Sequence, residues 1–407
     1  MLSFVFFLSF LLLYLTYRKG ASKSVGAYLL LFYTISALFT WLEYYAGPIN
    51  APALTPLSTL YYISSVFISL FPFLILGKYD CRHFQMSERL FFYLSVVLIV
   101  VGFVDLVALS IKIINNRAFL LSNIADVRNA FYDNFLYSEP VGPFDKIRII
   151  VREMMYMAPF CSIYFLSKGN KNLSVLLAIV SLSPTLRGIS IGEREAILKY
   201  LANWGFVYLF FRPILGEKIK KSLKRIGLIF FSPLILFVIA MTFARFGEDE
   251  GGVLRSLFLY AGDQPYFFTT IFSDSGIAAQ AQGGRLCFRY FFPVPERVQG
   301  QINFFIDSDI YLNQFGGLPA SFYFDFGYLA IVVIFIISLI YFLIIKHSKK
   351  VSGKFPLHIT ALFVFSFQVL FMNIFYFDYG PLFSVLFSIF FIIVCWIYPK
   401  LQSVLSK

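Results

Sequence analysis

The chain has 407 residues, of which 59% are hydrophobic and 14% charged, and its net charge is +12. Its mean hydropathy is +0.77. Soluble domains carry about a quarter charged residues, so this composition excludes an ordinary soluble globule and describes a polytopic membrane protein. Lysine and arginine in cytoplasmic loops account for the positive charge, and nucleic acid is set aside as a partner.

The first apolar run, Leu2–Tyr17, is closed by Arg18, Lys19 and Lys23. Its basic residues follow the apolar stretch instead of preceding it, and no small-residue cleavage site is evident. A retained helix with its N-terminus outside is therefore expected, not a cleaved signal. Further spans, each about the length a bilayer needs, are expected at 25–45, 57–76, 90–111, 153–167, 172–186, 196–211, 226–244, 326–345, 356–375 and 382–398. The expectation is an all-α polytopic protein of about eleven transmembrane helices. The chain shows no internal repeat and no Pro-rich or Ser-rich linker, so 1–407 is read as a single membrane domain.

Loop charge sets the orientation. On one set of alternate loops lie Arg18, Lys19, Lys23, Lys78, Arg82, Arg89, Lys168, Lys171, Arg212, Lys218, Lys220, Lys221, Lys224, Arg225, Lys346, Lys349, Lys350, Lys354, Lys400 and Lys407, 20 of the 34 lysines and arginines. That side is expected to be cytoplasmic, with the C-terminus on it. The long loops 112–152 and 245–325, and the short turn at Arg187–Glu195, then lie outside.

The two basic residue types segregate. Arg117, Arg128, Arg148, Arg152, Arg187, Arg194, Arg245, Arg255, Arg285, Arg289 and Arg297 fall on the outer side, with only Lys112, Lys146 and Lys199 beside them. The positive-inside rule treats both types alike and does not produce this split. Arginine's planar fork binds phosphate bidentately and keeps its charge beside apolar surface. The outer face thus reads as selected for oxyanions near the lipid headgroups, against the plainer alternative of structural pairing with outer acids or lipid phosphates.

A loop of about eighty residues between spans is far longer than ordinary connections. The stretch 245–325 is too aromatic for a disordered segment and is read as a folded cap over a site. Within it, Arg285 and Arg289 of "GGRLCFRYFF" are four apart, on one face if helical, and follow a Gly-Gly pair that lets backbone approach a phosphate. Its "IDSDIY" segment holds Asp307 and Asp309, two apart and with no third metal ligand in view.

The sharpest local signal is "SPTLRGISIGEREAILKYL", Ser183–Leu201. Two apolar runs meet there, with Arg187 where one helix ends and Arg194 in the first turn of the next. A cation in a first turn opposes the helix dipole by a few tenths of a kcal/mol, which Glu193 and Glu195 offset. Arg194 is thus expected to have a partner or an anionic ligand, the alternative being a local Glu–Arg cluster.

Histidine is missing from the outer side: His83 and His347 fall in cytoplasmic loops, and His358 opens the tenth span there. A general base on that side must then be an acid, with Glu193, Glu195, Asp307 and Asp309 as candidates, or the reaction manages without one. Asp105, inside the fourth span, is an intramembrane acid and a further candidate. Asn373, Asp378 and Tyr379 are weaker ones. The four cysteines form no disulfide framework or zinc spacing, and neither metal nor cofactor is expected.

The layout of about eleven spans with two long outer loops resembles the Wzy-type polymerases of O-antigen and other oligosaccharide repeat units. So do "IGEREAIL" (Ile191–Leu198), similar to that family's Gly-x-Arg at the start of a helix, and "YFDFGYLAIVV" (Tyr323–Val333), similar to its acid-x-Gly before the span after the large loop. Arg289 and Gly300 also match an Arg-x10-Gly spacing described for some members' outer loops.

The resemblance implies a bacterial inner-membrane glycosyltransferase, metal-independent and GT-C-like in architecture, with the N-terminus periplasmic. It would transfer a growing glycan from one undecaprenyl diphosphate onto the next lipid-linked repeat unit. Arg128, Arg187, Arg194, Arg285 and Arg289 would bind the diphosphates, and arginines at a low-dielectric rim would stabilise the charge developing on that leaving group. Membrane lipids, a chain-length regulator and a flippase are the implied partners. An O-antigen ligase, which in that family relies on a histidine in its large outer loop, and a lipid-linked oligosaccharide flippase, which needs a cationic central cavity, are the rival readings.

Overall fold

The computed structural model describes residues 1–45, 53–115, 154–190, 195–246, 258, 262–273, 317–374 and 382–405. Its helices are α1 (Leu2–Ala21), α2 (Val25–Glu43), α3 (Pro56–Leu76), α4 (Glu88–Asn115), α5 (Ala158–Ser167), α6 (Lys171–Val180), α7 (Ser183–Ser190), α8 (Glu195–Phe211), α9 (Glu217–Phe246), α10 (Gln264–Ser273), α11 (Gly317–Phe326), α12 (Ala330–His347), α13 (Leu357–Met372) and α14 (Leu382–Leu405). Extended pairing among the described residues is confined to an isolated bridge between Phe84 and Phe355.

Each span expected from hydropathy falls on helix. Among the described residues, seven helical stretches are long and apolar enough to cross a membrane: Leu2–Ala21, Val25–Glu43, Pro56–Leu76, Glu88–Ile111, Glu217–Ala240, Gly317–His347 and Phe387–Val404. The other four expected spans correspond to shorter apolar helices, Met155–Ser167, Lys171–Leu186, Ala196–Phe211 and Leu357–Met372. A helix of sixteen residues rises only about 24 Å, less than the hydrocarbon core of about 30 Å. Hydropathy windows respond to apolar content and so do not separate these two groups.

Local chemistry sets several boundaries. The Ser24 side chain accepts from Ala27 N at 3.2 Å at the start of α2. Thr55 caps α3 in the same way through Ser58 N, ahead of Pro56, and Asn170 caps α6 through Leu173 N. Each satisfies an amide that the helix leaves without a partner.

The chain divides into two compact units. The first comprises Met1–Tyr79, Glu248–Val351 and Leu362–Leu382. Within it α1 packs on α2, while α3 packs on α12 and α10, and α10 on α11. Its interior is aromatic: Phe73 and Phe363 stack at 4.8 Å and both are fully buried. Gly26 N donates to Gly77 O at 3.1 Å, and Tyr17 OH donates to Leu74 O at 2.9 Å. These bonds bring the end of α1, the start of α2 and the end of α3 to one face, where Lys350 also lies 5.3 Å over the Tyr79 ring.

The second unit comprises Asp80–Gly247, Ser352–Ala361 and Phe383–Lys407. Here α4 packs on α5, α6 and α7, α5 on α6 and α8, and α7 on α8. Gln85 N donates to Phe355 O at 2.8 Å and Phe355 N to His83 O at 2.7 Å. Thr360 Oγ1 donates to Gln85 O at 3.0 Å. The connections after α3 and after α12 are thereby tied together.

Candidate functional site

In the second unit the site begins with a close helix crossing. A Cβ added at Gly102 of α4 would lie 2.7 Å from Val180 Cβ and 2.8 Å from Met155 Sδ. Only a residue without a side chain lets α4 approach the end of α6 this closely. One turn further along α4, Asp105 accepts a hydrogen bond from Ser183 Oγ at 2.7 Å. Ser183 opens α7, so this half-buried carboxylate sits at the positive end of a helix dipole. The α6–α7 run is broken at Ser181–Leu182, and Pro184 in the first turn of α7 fits a helix start.

Arg187 lies one turn along α7 from Ser183, and Glu195 is the first described residue of α8. Since α7 and α8 pack together, Arg187 and Glu195 occupy helix ends flanking the connection 191–194. The structure describes the backbone of these two residues and not their side chains. Glu193 and Arg194, in that connection, lie outside the described residues, as do Arg128, Arg285, Arg289, Asp307 and Asp309.

In the first unit, the described parts of 245–325 are helices packed among the others. Both α10 and α11 are anchored at the end of α13. Gln264 Nε2 donates to Ile374 O, and Leu318 N donates to Asn373 Oδ1. Asn373 Nδ2 in turn donates to Tyr33 OH at 2.8 Å, and Tyr33 OH donates to Leu370 O at 2.7 Å. Gly317 adopts φ +62, and a Cβ there would lie 2.7 Å from both Asn373 O and Asn373 Oδ1. The helices on either side of 274–316 are thus fixed to two adjacent residues. On α10, Thr269 Oγ1 is 2.7 Å from Ser58 Oγ of α3, and Phe272 meets Tyr323 of α11 at 5.4 Å.

The start of α10 also docks on the end of α2. Thr40 Oγ1 donates to Gly262 O at 2.7 Å, and Tyr266 OH donates to Thr40 O at 3.3 Å. Glu43, one turn beyond Thr40, is 1% exposed. Burial, opposed by a hydrogen bond with Ser3 and reinforced by the Glu43 and Asp263 carboxylates, pushes the Tyr266 phenol up to about 12. Burial alone pushes the Asp263 carboxyl up to about 7. This acid-bearing corner was not anticipated; a glutamate in the last turn of an apolar helix, against the dipole, was the available signal.

The acid-x-Gly motif occupies the junction between α11 and α12. Asp325 is fully buried, and the helix breaks at Gly327, φ +54. Tyr61 of α3 clasps this break, its hydroxyl accepting from Ile331 N at 2.9 Å and donating to Tyr328 O at 3.3 Å. Among the described residues no three His, Cys, Asp or Glu side chains come together as a metal-binding group.

The architecture defines the class: an all-helical protein, among its described residues, with seven helices long and apolar enough to span a membrane. No protein family model, curated protein or solved structure matches the chain.

Proposed function

We propose that the chain is a lipid-linked oligosaccharide polymerase of the Wzy type in a bacterial inner membrane. It transfers a growing glycan from undecaprenyl diphosphate onto the acceptor sugar of another lipid-linked repeat unit. The observation that carries this reading is the segregation of arginine onto the expected outer side, away from the lysines on the expected cytoplasmic side. Guanidinium forks there suit a diphosphate leaving group held at the headgroup level. The Asp105–Ser183 bond is consistent with this reading, because it fixes the start of α7 about one turn before Arg187.

In this reading Arg187, Arg194, Arg285, Arg289 and Arg128 hold diphosphate, and one of Glu193, Glu195, Asp307 and Asp309 accepts the proton of the attacking hydroxyl. Holding two lipid-linked reactants in one orientation supplies much of the rate.

The test is the surface glycan of the native host after deletion of the gene. A single repeat unit on lipid A core supports the polymerase, whereas loss of all repeat units points to a ligase or flippase and overturns it. Purified protein given lipid-linked repeat units alone should lengthen them; a failure to elongate with folded protein also counts against the reading.

A further inference from the structure

The first turns of α9 combine charge and exposure in a way that the polymerase reading leaves unused. Lys218, Lys220, Lys221, Lys224 and Arg225 precede a largely apolar run that begins at Ile226 and carries no charge before Arg245. At about 100° per residue these five cations fall within an arc of roughly 160°. Ile219, Leu223 and Ile226 occupy the opposite side. Lys218, Lys221, Lys224 and Arg225 are exposed, while Ile219 and Leu223 are half-buried. The segment is an amphipathic helix start whose cationic half faces away from the protein.

Protein supplies little countercharge. Lys220 Nζ pairs with Glu217 Oε1 at 2.8 Å. No described carboxylate lies within ion-pair distance of the other four cations. Their charge sits at the positive end of the helix dipole, where each cation is unfavourable. None of Glu217–Ala240 is buried, although Phe231 meets Tyr200 of α8 at 6.5 Å. Ile226, Leu228, Ile229 and Phe230 are all more than half exposed. The apolar run therefore belongs in acyl chains. The cations then span about 10 Å along the axis just beyond it, at the level of the headgroups.

We propose that the basic face of α9 is a docking surface for anionic phospholipid headgroups. Several lysines and arginines directly beside a membrane helix attract an anionic leaflet, each adding to the binding. The headgroup phosphates supply the countercharge that the fold omits, and so hold the N-terminal end of a helix that has little protein around it.

The experiment uses full-length protein in neutral detergent, titrated with phosphatidylglycerol or phosphatidylcholine and read by native mass spectrometry. Wild-type protein should prefer phosphatidylglycerol. The combined variant Lys218→Gln, Lys221→Gln, Lys224→Gln, Arg225→Gln should lose about tenfold or more of that preference. The charge-conserving variant Lys218→Arg, Lys221→Arg, Lys224→Arg should keep it. In wild-type protein alone, raising ionic strength should weaken the preference through screening, which guards against a glutamine variant that fails to fold. Equal binding of the two lipids by wild type, or an unchanged preference in a folded glutamine variant, overturns the proposal. So does displacement of phosphatidylglycerol by millimolar inorganic phosphate, which would mark a free-phosphate site.

Discussion

Ser183 Oγ donates to Asp105 Oδ2 at 2.7 Å, joining the first residue of α7 to a carboxylate on a 28-residue apolar helix. In α4 a carboxyl is costly unless it is hydrogen-bonded, and the Ser183 hydroxyl supplies that bond. The pair is also the fixed point from which α7 leads to Arg187.

Asp105→Ala should lower the melting temperature of the purified protein, while Asp105→Asn, which keeps an acceptor for Ser183, should lower it less. A hydrogen bond to a charged group contributes about 1.5–3 kcal/mol, and half-burial argues for the lower end. If α7 positions the Arg187–Glu195 turn, Asp105→Ala should also shorten glycan polymer at normal protein level. Equal melting temperatures for wild type and both variants would remove the bond from any structural role.

Gly317→Ala should destabilise the first unit strongly. The left-handed backbone costs a residue with a Cβ about 1–2 kcal/mol, and that Cβ would sit 2.7 Å from Asn373 O. Asn373→Ala should also destabilise this unit, since it strands the buried Leu318 amide, worth about 1–3 kcal/mol; because Gly317 and Asn373 are in contact, the double variant should lose less than the sum of the two. Both effects are read as protein level in membranes and as melting temperature. Normal values for Gly317→Ala would show that the 317–318 anchor is not fixed as described.

Part of this was legible and part was not. Helix positions were readable because the helices follow long apolar runs; the caps at Ser24, Thr55 and Asn170 were available in the sequence but were found only in the structure. The difference between spans and short helices was not, because hydropathy reports apolar content and not where a helix stops, as at Ser181–Leu182. Asp105 was visible as an intramembrane acid, but its partner was 78 residues away in sequence. Asn373 was only a weak candidate for the same reason: its bonds to Tyr33 and Leu318 exist only once three distant segments meet.

Asp263 should make stability depend on pH. Burial raises its carboxyl from 3.8 to about 7 in the folded protein. Below pH 3.8 the folded and unfolded chains both hold the proton, and this group imposes no penalty. As pH rises through about 7 the folded state must ionise a carboxyl that burial disfavours, and the stability is lost. Wild-type protein should therefore melt at a lower temperature at pH 8 than at pH 5.5. Asp263→Asn should flatten that difference and raise the melting temperature at pH 8. An identical pH profile in the variant would exclude Asp263 as its source.

The arginines provide the sharpest test of the polymerase reading. Lysine keeps the positive charge but lacks the planar fork that grips a phosphate with two parallel hydrogen bonds. A guanidinium that steadies the departing diphosphate should therefore suffer from Arg→Lys almost as much as from Arg→Ala, whereas a solvated surface charge should tolerate lysine. Loss of one such donor costs about 3–4 kcal/mol in the transition state, or a hundredfold or more in rate. Arg194→Lys, Arg285→Lys and Arg289→Lys should thus yield short glycan on gels, with membrane levels equal to wild type by blot. Glu193→Gln, Glu195→Gln, Asp307→Asn and Asp309→Asn, assayed beside them, separate proton transfer from charge stabilisation: the general base alone should fall by about two to four orders of magnitude. Equal protein level is required before a loss counts, because an arginine holding a structural carboxylate bidentately would also reject lysine. Full-length polymer from all three lysine variants would leave these arginines as scaffold and remove the diphosphate from the proposal.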